Sequence, residues 1–476
     1  MRAFICKYGV FVFAILVSLL AINSWSLWTD ESSTAFLAMH ESLSELMTTL
    51  ESWKGSESQM PGYVVTMFIW EKLFGHSEYA LRSFNLFMIG VLVLYLLWKQ
   101  SNSYLADDDK KKARCFVLLT FLSPMIVYNI NEARVNITIF VLGTISLASA
   151  YLYCRYKKNT DWIILILSVI LGYSFNFLYI VIGLPMIILI FYRDWRIIKH
   201  NWKSLLLLFI LISLISFYYI QTLLGGHGGM KERPGFLNIG YTLYEFMGFG
   251  GMSVPKNELR NGSLCYSVFE PYIIPTLLLL MAYCGMVYVF IKEKVRYHTV
   301  GLFVISVLGF YLLAYVAEFR FLGRHLLMLY PLFLYSLADA IVSSWRNKKV
   351  RILICFFIGA LCIGTFRILT QDSYKKENVK DAIQFTNDYN KSDDSVVFLG
   401  YGLLANYYHL RNYRNDSHIE KMDSGFILFI KSMYTYYNMK DTSTKQLVDK
   451  IHNKELPYIT KVWEDKDSEL YYVKAH

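Results

Sequence analysis

Residues 81–130 read LRSFNLFMIGVLVLYLLWKQSNSYLADDDKKKARCFVLLTFLSPMIVYNI, and this stretch decides the fold. Beyond Arg82, Leu81–Trp98 carries no charge and is long enough to cross a hydrocarbon core as a helix. The segment that follows holds Lys99, Lys110, Lys111, Lys112 and Arg114. The chain then turns apolar again from Cys115 to Ile130. A span, a basic loop and a second span form the repeating unit of a polytopic membrane protein.

Working outward, the same unit recurs. Window length gives about eleven spans: Ala3–Ile22, Leu81–Trp98, Cys115–Ile130, Val135–Tyr153, Trp162–Phe175, Phe177–Tyr192, Leu205–Leu224, Tyr272–Ile291, Val300–Ala317, Leu326–Val342 and Ile352–Ile368. The composition agrees, with 55% apolar residues, 18% charged residues and a mean hydropathy of +0.35 over 476 residues. These values exclude an ordinary cytosolic enzyme. The net charge of +10 sits in short loops between apolar segments, so it is a topology signal and not a nucleic-acid surface. Alternate loops carry the bases: Arg155, Lys157 and Lys158; Arg193, Arg196, Lys199 and Lys203; Lys292, Lys294 and Arg296; Arg346, Lys348, Lys349 and Arg351. With Arg2 and Lys7 this side holds 21 bases against 11 on the other, which predicts a cytoplasmic amino terminus and, for an odd span count, an external tail.

The expected fold is therefore an all-α polytopic membrane domain over 1–369, with a small external α/β domain over 370–476. The external segments 23–80 and 225–271 are long. The first holds an amphipathic stretch, Glu31–Leu50, then Pro61–Phe74. The second is rich in glycine and reads as a flexible loop. In the tail, Val379–Tyr389 reads as a helix, and Ser395–Leu399 and Leu470–Val473 read as strands. No CxxC pair occurs, and only Cys265 lies in a long loop, so neither a disulfide framework nor a cysteine metal site is expected.

Four polar features fall on the external side. Trp28-Thr29-Asp30-Glu31 follows the first span; it could cap a helix or supply a carboxylate that takes a proton from a hydroxyl. Pro61-Gly62-Tyr63 opens a helix that ends near Phe74-Gly75, and Arg82 at the start of the next span could snorkel or pair with Asp30 or Glu31. Glu132-Ala133-Arg134 puts an acid and a base at an outer turn, where each could cap the turn in water or face a cavity. Arg320-Phe321-Leu322-Gly323-Arg324-His325, running to Pro331, could hold a phosphate or only balance Glu318.

The order and spacing of these features resemble the C-type glycosyltransferase superfamily, specifically the bacterial relatives of protein O-mannosyltransferases and aminoarabinose transferases. The resemblance rests on Asp30-Glu31, Pro61-Gly62-Tyr63, Leu73-Phe74-Gly75 with Ser77-Glu78-Tyr79-Ala80-Leu81-Arg82, Glu132-Ala133-Arg134, and Arg324-His325 with Pro331. It covers the membrane part. It implies inverting transfer of a hexosyl or pentosyl group from a polyprenyl-phosphate donor, at the outer face of a bacterial inner membrane. The acceptor would be a hydroxyl or phosphate on a protein, lipid or polysaccharide. Asp30 is then the catalytic base and Glu31 its support. Arg134, Arg324, Glu132, His325 and Arg82 are the candidates for the donor phosphate and substrate. Gln59-Met60 before Pro61, and His325 after the arginine, depart from the usual pattern. No cofactor is indicated, although phosphate chemistry leaves room for a divalent metal. Membrane lipids are expected partners and nucleic acid is not.

Two other classes compete. A transporter or flippase of lipid-linked sugars would use the same acids and arginines as a pathway, though its charges belong at membrane depth and not at outer turns. A non-catalytic assembly subunit would tolerate loss of Asp30.

Overall fold

The computed structural model describes residues 2–53, 55–194, 196–224, 233–255, 269–292, 297–371, 374, 378–414, 424–431 and 442–474. Cys265 and the glycines Gly225, Gly226, Gly228 and Gly229 lie outside these.

Helices cover every apolar stretch read from the sequence. They begin with α1 (Arg2–Ala21), followed outside the first span by α2 (Thr29–Ala38), α3 (Leu43–Ser52) and α4 (Pro61–Phe74). The bundle continues through α5 (Glu78–Ser101), α6 (Asp107–Phe121), α7 (Pro124–Ile130), α8 (Asn136–Tyr156), α9 (Asn159–Phe175), α10 (Gly183–Asp194), α11 (Arg196–His200) and α12 (Trp202–Leu224). After α13 (Phe236–Phe246) come α14 (Ile273–Lys292), α15 (Tyr297–Ala317), α16 (Tyr330–Ser344) and α17 (Lys348–Thr370).

Among the described residues, six helices are long and apolar enough to cross a bilayer unaided, or seven if α6 and α7 form one bent span. That is fewer than the eleven apolar stretches, because α1 qualifies only over Tyr8–Ala21, α9 has 17 residues, α10 has 12 and α16 has 15. The chain is a multi-pass membrane protein all the same. Burial separates its helices sharply: 89% of the apolar window of α8 is buried, against 6% for α12. The first is the bundle's axis and the second faces lipid.

Three features differ from expectation. The Cys115–Ile130 span bends by 65° between α6 and α7. Pro124 opens α7 and disfavours helix at Ser123, so the ladder breaks there. The Thr365 hydroxyl donates to the Leu122 carbonyl at 2.8 Å, and the Ser123 hydroxyl meets the Tyr330 phenol at 2.7 Å. The stretch Glu31–Leu50 is two helices and not one, and α2 buries Glu31, Ser32, Ser33 and Thr34 along with its apolar side chains. The glycine-rich 225–271 segment contains α13, whose N-terminal Phe236 and Leu237 are exposed while Thr242, Glu245 and Phe246 are buried. At Gly143 in α8, a Cβ would lie 2.7 Å from the Met328 carbonyl oxygen; only glycine lets α8 approach the segment leading into α16.

The tail builds a five-stranded sheet in the order β2-β1-β3-β5-β4. Its strands are β1 (Val396–Leu399), β2 (Tyr413–Arg414), β3 (Gly425–Ile430), β4 (Ile459–Glu464) and β5 (Ser468–Val473). β2, β1 and β3 run parallel, whereas β3, β5 and β4 pair antiparallel. Helix α18 (Val379–Tyr389) precedes β1, α19 (Gly402–Tyr407) follows it, and α20 (Thr442–His452) precedes β4. Side chains alternate across the sheet as a period of two requires. Val396, Phe398, Phe426 and Leu428 pack with Ile383 of α18, while Val397, Leu399, Ile427 and Phe429 pack with Val448 and Ile451 of α20.

Candidate active site

Trp28 ends the extended segment after α1, and α2 starts at Thr29. The third residue of a helix can reach back to the backbone before the first turn, and Glu31 does so, accepting from the Trp28 amide at 3.3 Å. Helix capping is thus the work of Glu31 and not of Asp30. Glu31 also accepts from the Ala133 amide at 2.7 Å. Its carboxylate holds Arg82 by two bonds of 2.9 Å, and both side chains are fully buried. The remaining Arg82 donors go to the carbonyls of Asn23, Trp25 and Ser26 at 2.8–3.1 Å. Arg82 therefore clamps the linker between α1 and α2, and its fork is spent on protein acceptors.

Arg134 sits in a second buried pair that the sequence reading did not single out, with Glu57. Glu57 lies in the short turn Ser56–Gln59 before Pro61 and also accepts from the Trp53 indole at 3.0 Å. Arg134 donates further to the Asp30 carbonyl at 2.9 Å, Thr34 at 3.2 Å and Ser56 at 3.0 Å. Burial by itself would ease its proton off, but Glu57 and Asp30 outweigh burial and the charge is held more firmly than in water. Glu132 is buried, accepting from the Asn136 amide group at 2.9 Å, and Asn85 donates to the Glu132 carbonyl at 2.6 Å. Tyr63 of the Pro-Gly-Tyr stretch is fully buried within the fields of Arg134, Glu31 and Glu132. Its hydroxyl has no hydrogen-bond partner among the described residues.

Asp30 is different. Its side chain remains 29% exposed, and its carboxylate meets Arg324 at 3.0 Å. The Arg324 guanidinium lies 5.3 Å from the centre of the Trp28 ring, so an aromatic face seats it from the other side. Gly323, next along, lies against the Glu245 carboxylate of α13. His325 is half-buried and its Nδ1 meets the Arg320 carbonyl at 3.0 Å. Burial, and then the Arg324 charge, hold the His325 pKa well below its usual value, so the ring is neutral near pH 7.

The tail covers this cluster. Tyr408 accepts from the Leu27 amide at 2.6 Å, and Tyr401 meets Ser33 at 3.1 Å. Lys380 bonds Glu78 at 2.9 Å. Four segments far apart in sequence thus converge on the start of α2, with the Asp30 carboxylate and the Arg324 guanidinium at the rim. Asp30, Glu31 and Glu57 each face an arginine, which is not how acids gather around a divalent ion. Among the described residues no cluster of metal-ligating side chains occurs.

The whole architecture matches solved structures. ArnT from Cupriavidus metallidurans superposes with a TM-score of 0.55 at 10% identity, over 99% of this chain and 98% of that one, both in its apo state and bound to undecaprenyl phosphate. The chain shares the fold of ArnT. The mycobacterial arabinofuranosyltransferase AftD also aligns, at a TM-score of 0.47 and 13% identity, over 99% of this chain and 40% of that one. No protein-family model matches the chain, and no curated protein sequence matches it significantly. The likeness therefore comes from structure, at an identity where only the fold is shared.

Proposed function

We propose that the chain is a membrane glycosyltransferase that moves a sugar from a polyprenyl-phosphate donor to an acceptor hydroxyl, with inversion, at the face opposite the basic loops. The supporting observation is the partly exposed Asp30–Arg324 pair, set on a frame of buried ion pairs within an ArnT-like fold. In this reading all eleven apolar stretches are membrane-embedded, residues 1–369 are catalytic, and the 370–476 domain is external. The transferred group is a hexose or pentose.

The chemistry follows from charge. As the sugar–oxygen bond breaks, the leaving phosphate gains negative charge, and a fixed guanidinium stabilises it. Arg324 is that group. When the donor phosphate arrives, Arg324 exchanges the Asp30 carboxylate for the phosphate, which frees Asp30 to accept the proton of the acceptor hydroxyl. The acceptor oxygen attacks the anomeric carbon from the side opposite the departing phosphate. Arg134 and Glu57 fix the Asp30 backbone, and Arg82 and Glu31 fix the turn before it. His325, being neutral, adds no competing charge beside Arg324.

The test is turnover of a panel of polyprenyl-phosphate sugars by purified protein, watched for transfer or hydrolysis. Release of polyprenyl phosphate that requires Asp30 supports the reading. Donor left intact across the whole panel, or release unaffected by Asp30→Asn, contradicts it.

A further inference from the structure

One cavity lies away from Asp30. It is a cavity of ≈ 460 Å³ between α5, α6, α8, α10, α15 and α16, at the end of the bundle that carries the basic loops. Its walls are mostly apolar, with Leu147, Leu152, Leu189, Leu302, Ile305 and Leu332 facing in. A volume of this size lies within the range of roughly 300–1,000 Å³ that holds small ligands. An apolar chamber of this kind gives water too few partners to fill it well.

Polar groups gather at one end, and their pairing says what they select. Lys112 bonds Asp339 at 2.7 Å and Asp108 at 2.8 Å; Lys99 pairs with Asp161; Arg155 bonds Asp109 at 2.9 Å. The two bases on the lining, Lys99 and Lys112, each face an acid. A phosphate inside the cavity would meet these paired bases and the Asp109 and Asp339 carboxylates. One donor is left over. Gln100 lines the cavity, is 6% exposed, and its amide nitrogen has no hydrogen-bond partner among the described residues. A buried donor without a partner is costly, so it calls for an acceptor from the ligand.

We infer that this cavity binds one fatty-acyl chain of a glycerolipid from the adjoining leaflet, with Gln100 donating to its ester carbonyl. The two parts of the site match the two parts of that ligand: an apolar chamber for the hydrocarbon and a neutral donor at headgroup depth. A polyprenyl phosphate fits less well, since its chain offers the Gln100 amide no acceptor before the phosphate. The cavity also touches α8 and α16, the helices that follow Arg134 and Arg324.

The experiment uses the full chain in phosphatidylcholine nanodiscs with a photoactivatable group on the acyl chain, followed by peptide mapping. Labelling is expected on the cavity faces of α8 and α15. Gly301 lines the cavity and a Cβ there meets nothing within 4 Å, so Gly301→Trp fills the space with little strain on the backbone. That variant is expected to lose cavity labelling while keeping labelling at Leu94, which is 67% exposed to lipid. Gln100→Leu is expected to reduce cavity labelling in a protein of unchanged thermal stability. Cavity labelling that survives Gly301→Trp, or equal labelling there by a photoactivatable polyprenyl phosphate, would overturn the assignment.

Discussion

Asp30 and Arg324 meet at 3.0 Å at the rim of the cluster, although almost three hundred residues separate them in sequence. The neighbouring pairs, Glu31–Arg82 and Glu57–Arg134, are sealed from solvent, while this one is open. A sealed pair holds a fold together. An open pair can exchange partners, and that difference assigns roles to residues of the same type.

The sealed pairs are expected to govern stability. Arg82→Ala leaves the Glu31 carboxylate buried without its partner, a loss of about 3–5 kcal/mol. Denaturation in detergent would register this as a strongly destabilised protein, and Glu31→Gln should behave in the same direction. An unchanged transition in both variants would show that the linker before α2 holds without the clamp.

Arg324 is expected to govern donor affinity. Arg324→Ala removes charge-assisted bonds to phosphate worth about 1.5–3 kcal/mol, roughly a tenfold or greater loss in affinity. Lys72 pairs with neighbouring Glu71 at 2.9 Å on an exposed part of α4, and Lys72→Ala should leave affinity nearly unchanged. Titration of both variants with a polyprenyl-phosphate sugar separates the two positions. Equal affinities would remove Arg324 from the site.

His325 makes stability depend on pH. Its folded pKa lies below the unfolded value, so the unfolded chain binds the proton more readily. Stability is complete above the unfolded value of about 6.5 and is lost as pH falls from there toward the folded pKa. Melting curves between about pH 7.5 and 5 should therefore slope less in His325→Gln than in the natural chain. Parallel slopes would mean that the ring protonates in place.

The tail is expected to report through Tyr408. Its phenol oxygen accepts the Leu27 amide, so Tyr408→Phe strands a buried donor beside α2, at a cost of about 1–3 kcal/mol. Tyr79 is 47% exposed, and Tyr79→Phe serves as the control, with no measurable shift in the melting temperature.

Much of the helical framework is legible in hydropathy alone, because lipid tolerates few other patterns. The strands Val396–Leu399 and Ser468–Val473 and the helix Val379–Tyr389 were likewise marked by their side-chain periods. The pairings were not. Arg82 could be read as pairing with either Asp30 or Glu31, and only the capping geometry of α2 turns Glu31 inward. Glu57 gave no signal, since it lies among serines in a short turn whose packing is set by Arg134 from a distant segment. The bend at Pro124 was readable from the proline, yet a continuous apolar window hid it. The chamber behind Gln100 leaves no trace in sequence, because its lining comes from six helices that each contribute a few ordinary apolar residues.

The central claim is that Asp30 is a base and not a structural acid. Asp30→Asn preserves size and hydrogen bonding but cannot accept a proton. Transfer from a polyprenyl-phosphate sugar, measured with the variant at saturating donor, should fall by roughly 10²–10⁴-fold with the melting temperature unchanged. Near-normal transfer by Asp30→Asn at natural stability would contradict the account and leave Asp30 as no more than a partner for Arg324.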